Sequence, residues 1–292
     1  MESLDFPPVG KCARIVSGKF EALVSLDCGP RVIRLGKIDG LNLFKVFPDC
    51  GPLGDAGCKL YGGHRLWVGP EVAELTYHAD NAPVVASQNG GWSTFASGLD
   101  PRGIRKVISI RRASGGFELV HRLTNECTAT MEVFPWCLTV MAEGGECLFP
   151  LPTFASHSER VTPAAPLVLW SYTNLEDARW RLGPRVGRLR QANAPPQKLG
   201  AMIRQGYAAY ALEGQVFLKR FDFIEGARYP DMGCNFETFT KEDMLEVECL
   251  GPKVRLAPGE STELKETWSL LEGNPPEDDD ECDAWLRMVA QS

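Results

Sequence analysis

Apolar and polar residues alternate with a period of two through most of the chain, in short runs set apart by Gly, Pro, Asn and Asp. This pattern predicts half-buried β-strands, because successive side chains of a strand point to opposite faces. In Phe117-Glu118-Leu119-Val120-His121-Arg122-Leu123 the odd positions share one face. Thr262 to Leu270 repeats the pattern, with Leu264, Trp268 and Leu270 on one side and Lys265, Thr267 and Ser269 on the other. Further strands are predicted at 20–26, 31–35, 105–111, 131–140, 167–172, 216–221, 234–240 and 244–250. Turn residues punctuate them at Asp27-Cys28-Gly29-Pro30, Ser114-Gly115-Gly116 and Ala257-Pro258-Gly259-Glu260. Segments 49–63 and 192–200 read as loops or rim elements. One helix is predicted, at 277–291, where acidic residues precede an apolar stretch and Trp285 shares a face with Val289. Together these elements predict an all-β sandwich or barrel. No Gly/Ser-rich or charged linker divides the sequence, so a single domain over 1–292 is expected.

Composition narrows the function classes. The formal net charge of −7 argues against a nucleic-acid partner, since phosphate backbones are held by clustered Lys and Arg. The basic stretch from Arg179 to Arg190 is diluted by Gly and Pro and reads as a solvated face. No run approaches the roughly 18 apolar residues of a membrane span, and Met1 to Lys11 lacks the apolar core of a signal peptide. Ten scattered cysteines without a Cys-x-x-Cys pair read as reduced thiols, which places the chain in the cytoplasm. His64, His78, His121 and His157 stand far apart, so neither a metal nor a cofactor is expected. Phosphate-binding glycine loops and nucleophile elbows are absent.

Polar residues within apparent strands carry the candidate chemistry. Tyr61-Gly62-Gly63-His64-Arg65-Leu66-Trp67 combines glycines that permit tight backbone with a titratable ring, a planar guanidinium and a large aromatic. Sugars are recognised by such mixtures, polar forks for hydroxyls and an aromatic face for the C–H side of the ring. The same segment also reads as a turn followed by a strand with a core Trp. In Leu245-Glu246-Val247-Glu248-Cys249, alternation sets Glu246 and Glu248 on one face, and Asn235 and Glu237 likewise share a face. These carboxylates either meet solvent or line a concave cavity, where crowding and burial would raise a carboxyl toward the working range of a proton acceptor. Lys219 sits mid-strand, and Glu237 or Glu246 would be its natural partner. His121 reads as a core histidine and His78 as a loop residue. Trp136 and Trp170 read as core, with a sugar platform as the alternative.

At these segments the chain resembles an uncharacterised bacterial family grouped with the galactose mutarotase-like (aldose 1-epimerase-like) superfamily. The likeness rests on Gly62-Gly63-His64-Arg65-Leu66-Trp67, Trp170-Ser171-Tyr172-Thr173, Tyr229-Pro230-Asp231-Met232-Gly233-Cys234-Asn235, and Leu245 to Pro252 with the Ala257-Pro258-Gly259-Glu260 turn. It implies a β-supersandwich of large twisted antiparallel sheets whose concave face binds a carbohydrate. In true mutarotases a late glutamate takes the anomeric proton and a histidine protonates the ring oxygen. By that resemblance Glu246 is the base, with Glu248 as its stand-in. The stretch from Thr124 to Leu138 offers no histidine for the acid role, which falls to His64 if the fold brings it opposite Glu246. Arg65, Asn235, Glu237, Glu248 and Lys219 are the expected hydroxyl ligands, and Trp67 and Trp170 the stacking surfaces. The expected partner is a small-molecule carbohydrate, bound by a monomer or homodimer. A non-catalytic sugar-binding or sensing protein is the competing reading. A carbohydrate-active hydrolase or lyase is a third, with Glu237 and Glu246 or Glu248 as its carboxylate pair.

Overall fold

The computed structural model describes residues 1–53 and 57–291. Residues 54–56 of the predicted rim segment 49–63, and Ser292 at the end of the predicted domain, lie outside the described residues. Two large antiparallel sheets dominate. The first runs, in spatial order, Glu2–Phe6, Gly10–Ser17, Phe20–Ser25, Arg31–Lys37, Gly63–Gly69, Met131–Met141, Met244–Leu250, Phe236–Lys241, Gln197–Ala201 and Leu167–Leu169, with Val254–Leu256 paired to one end of Met131–Met141. The second runs Trp180–Leu182, Val186–Arg190, Glu146–Pro150, Tyr207–Leu212, Gln215–Phe221, Ser261–Glu272, Gly116–Asn125, Ile104–Ala113, Trp92–Leu99 and Val85–Asn89.

The sheets bury their facing sides against each other, as the period-two pattern requires. Val24, Leu66, Val68, Val247 and Cys249 from the first sheet join Phe95, Ile108, Phe117, Leu119, Phe217 and Trp268 from the second in one core. Phe44, Phe217 and Trp268 meet edge to face there, their ring centroids 5.5–5.7 Å apart. Such pairs contribute about 0.5–1.5 kcal/mol each beyond burial. The C-terminal helix, Asp279–Gln291, packs Cys282, Leu286 and Val289 on the outer face of the second sheet, against Leu148, Val186, Ala209 and Leu218.

The predicted strands form with shifted ends, and two readings need correction. Strand 167–172 stops at Leu169, after which Trp170 turns away from the ladder. The basic stretch is a solvated face only in part: Arg181 and Arg190 are exposed, but Arg179 and Arg188 are buried. Val186–Arg190 is an interior strand, and Arg188 is buried against Glu146 at 3.1 Å.

Candidate functional site

The outer face of the first sheet is concave and carries the site. Parity along each strand decides what points there. In Gly63–Gly69, Leu66 and Val68 belong to the inter-sheet core, so Arg65 and Trp67 face the hollow. In Met131–Met141, Trp136 and Leu138 face it. In Met244–Leu250, Leu245, Val247 and Cys249 are core, which leaves Glu246 and Glu248 outward. Register then aligns these residues in rows across the sheet. One row pairs Arg65 with Leu138, Leu138 with Glu248 and Glu248 with Glu237; the next pairs Val140 with Glu246, Glu246 with Phe239 and Phe239 with Lys198. Gly63 brings the strand in close: its φ is +67°, and a Cβ would lie 2.2 Å from the Val32 carbonyl oxygen.

The cavity holds about 490 Å³ and is lined chiefly by aromatic and apolar side chains, among them Trp67, Trp136, Trp170, Tyr77, Tyr172 and Phe239, with Glu71, Lys198, Lys241 and Glu246. That mixture is usual for small-molecule sites. Trp67 meets Trp136 at 5.2 Å and Tyr77 at 5.7 Å between centroids. The Lys198 ammonium lies 5.4 Å from the Trp136 ring centre and 4.9 Å from that of Trp170. Trp136 is therefore a wall of the cavity rather than core, and Trp170 is at the cavity as well.

Beneath the aromatic walls lies a buried charge cluster. Lys198 contacts Glu237 at 2.7 Å and Glu248 at 3.2 Å, and the Trp136 indole N–H donates to Glu248 at 2.7 Å. Two carboxyls share one ammonium. Burial, then the neighbouring Glu248, push Glu237 upward against the pull of Lys198, to about 8. The Lys198 ammonium is itself held charged, its pKa raised by the carboxylates around it in spite of burial. Glu246 stands beside this cluster, 9% exposed at the cavity wall. Burial first, and then Glu248, push its carboxyl up to about 8, while Lys198 and Arg65 pull the other way. A carboxyl so placed exchanges its proton near neutral pH, the property a general base needs.

Several expected site residues are placed elsewhere. His64 follows the opposite parity to Arg65 and Trp67 and lies between the sheets, wholly buried. It cannot stand opposite Glu246 in the cavity. Its Nε2 is 2.6 Å from His121 Nε2, its Nδ1 is 2.9 Å from Thr139 Oγ1, and burial lowers its pKa well below the ordinary value. His121 Nδ1 must donate to the Leu264 carbonyl, so neutral His121 accepts at Nε2 from His64, which in turn accepts from the Thr139 hydroxyl. Lys219 ends this chain from the other side, donating to Thr139 Oγ1 at 2.9 Å and pairing with buried Glu266 at 3.1 Å, not with Glu237 or Glu246. Cys137 and Glu266 complete a group with both histidines whose donor atoms lie within 4.8 Å of one another, and the Lys219 ammonium already supplies a cation there. Asn235 clamps the backbone, its amide bonding Ile203 N at 2.7 Å and Ile203 O at 2.9 Å. Of the expected residues, Trp67, Trp170 and Glu246 line the cavity, and Arg65, Glu237 and Glu248 lie buried on the same face of the sheet behind its walls. The structure adds Lys198, which sequence reasoning missed.

No family model matches the chain, and no curated protein is similar to it in sequence. Solved structures are similar in fold. A galactose mutarotase-like protein from Lactobacillus casei is 12% identical, covering 89% of this chain and 100% of its own at a TM-score of 0.56. A protein from Synechocystis is 12% identical, covering 94% and 100% at a TM-score of 0.61. A galactose mutarotase related enzyme from Lactobacillus acidophilus is 8% identical, covering 88% and 97% at 0.56. The architecture is thus an all-β supersandwich. It is the galactose mutarotase-like fold, the one the sequence resemblance implied.

Proposed function

We propose that the concave cavity binds a carbohydrate and that Glu246 exchanges the anomeric proton, as in an aldose 1-epimerase. The observation that carries this reading is a buried carboxyl, raised to about 8, in the wall of an aromatic-lined cavity. The tryptophan rings of the cavity wall suit the C–H faces of a pyranose, and the Lys198 cluster suits its hydroxyls. Ionised Glu246 takes the proton from the anomeric hydroxyl as the ring C–O bond breaks and the ring oxygen takes a proton from solvent; in the reverse sequence the ring hydroxyl returns its proton to solvent as it attacks the carbonyl carbon, and Glu246 gives its proton to the carbonyl oxygen, which closes the other anomer. Tyr172 lines the cavity as a protonated phenol, pushed up chiefly by burial, and supplies a hydrogen-bond donor for the ring oxygen, whereas the Tyr77 phenol already donates to Glu71.

Placement of His64 outside the cavity favours the second reading, a protein that binds sugar without interconverting it. Exchange NMR between anomers of free aldoses separates the two. Acceleration by the wild type, lost in Glu246→Gln, is the expected result. Binding without acceleration would sink the epimerase reading and leave the binding protein.

A further inference from the structure

Arg65 is 2% exposed, and its three guanidinium nitrogens are buried with no oxygen or nitrogen to receive them, only the Cys58 thiol beside them. Among the described residues it makes no ion pair. Nor does the local charge balance relieve it. Arg31 lies directly opposite on the neighbouring strand, and Lys106 is close by; both are buried and both draw on Asp80, at 2.5 and 3.1 Å. Asp80, the carboxylate nearest this group, is thus already taken by Arg31 and Lys106. A charge buried without partners is unstable by several kcal/mol or so, and stacking on an aromatic ring recovers only about 2.

That ring is Trp67, whose centre is 4.1 Å from the guanidinium carbon and whose own indole N–H is also buried without a partner. Both side chains can only donate. A neutral hydroxyl would bring a donor of its own into this corner; a group that only accepts, and carries negative charge, satisfies both side chains and balances the Arg65 charge. Planar guanidinium groups bind such oxyanions through two parallel hydrogen bonds. Arg65 acts on Glu246 electrostatically, so this corner adjoins the proposed reaction centre, and Lys198 and Lys241 add further positive charge to the cavity wall.

We infer that the cavity takes a carbohydrate bearing an anionic substituent, a carboxylate or a phosphate ester, received by Arg65 and the Trp67 indole N–H. This inference rests on the carbohydrate reading above. Each nitrogen is screened from solvent, so entry of the anion shifts the neighbouring side chains of Trp67 and Cys58.

Isothermal titration of the full chain with glucose, glucuronate and glucose 6-phosphate at one ionic strength tests it. Wild type is expected to bind one of the anionic sugars about tenfold or more tightly than glucose, the factor that one charge-assisted hydrogen bond supplies. In Arg65→Met that ratio is expected to collapse toward one, while the unliganded variant melts at a higher temperature because an uncompensated charge has gone. Should Arg65→Met not fold, Trp67→Phe, which removes only the indole N–H and part of the ring, is expected to reduce the same ratio. The comparison of glucuronate with glucose 6-phosphate assigns the anion. Equal affinity for charged and neutral sugars, or an anion preference that survives in Arg65→Met, would overturn the inference and leave the carbohydrate reading standing. Failure to bind any of the three would overturn both.

Discussion

Glu246 owes its character to neighbours rather than to bonds: among the described residues nothing hydrogen-bonds its carboxyl, and burial sets its proton affinity. A raised carboxyl makes the folded state hold a proton that the unfolded state releases. Its contribution to stability is therefore largest at low pH and is lost as pH rises from 4.5 to about 8. Glu246→Gln is expected to be more stable than wild type by at least about 1 kcal/mol at pH 8.5, and not at pH 4, in urea unfolding. Catalysis runs the other way: if Glu246 is the base, anomer exchange rises with pH through about 8 and then levels. Lys198→Met leaves Glu237 and Glu248 facing each other without an ammonium, at an expected cost of about 3–5 kcal/mol at pH 8. That loss should shrink at pH 5, where Glu237 holds its proton. Parity made Glu246 and Glu248 readable as one face from sequence. The same rule set His64 apart from Arg65 and Trp67, a signal present in the sequence that the attraction of a histidine beside glycines overrode.

Among the elements, strands with long alternation announced themselves, as in Gly116–Asn125 and Ser261–Glu272, where each face has a consistent polarity over ten or more residues. Gln197–Ala201 did not. It follows Pro195-Pro196 and is five residues long, too short for alternation to outweigh the turn signal, so Lys198 was hidden in a predicted loop. Lys219 drew attention instead because it interrupts an apolar strand, and its partner Glu266 is invisible until the two strands pair. The element on which the cavity depends most is Gly63–Gly69. Gly63→Ala would push a methyl against the Val32 carbonyl and force the neighbouring strand apart. The expected cost is about 3 kcal/mol or more in thermal unfolding, with loss of sugar binding; a neutral outcome would contradict the close approach.

At the scale of the molecule, the inter-sheet core and the ligand hollow occupy opposite faces of the first sheet, and the C-terminal helix covers the far side of the second. Stability and binding should therefore separate. Leu286→Ala is expected to cost about 2–5 kcal/mol by opening a cavity under the helix, without changing sugar affinity. Strand order could not be read from sequence, because Gly63–Gly69, Met131–Met141 and Met244–Leu250 lie far apart along the chain and become neighbours only in the sheet. The central claim is that these neighbours form a sugar site around Glu246. A crystal structure of the chain soaked with the tightest-binding sugar tests it most directly. The expected result is a pyranose against Trp67, Trp136 or Trp170 with its anomeric oxygen within about 3 Å of a Glu246 carboxyl oxygen. A sugar bound on any other face, with this hollow filled only by solvent, would contradict the account.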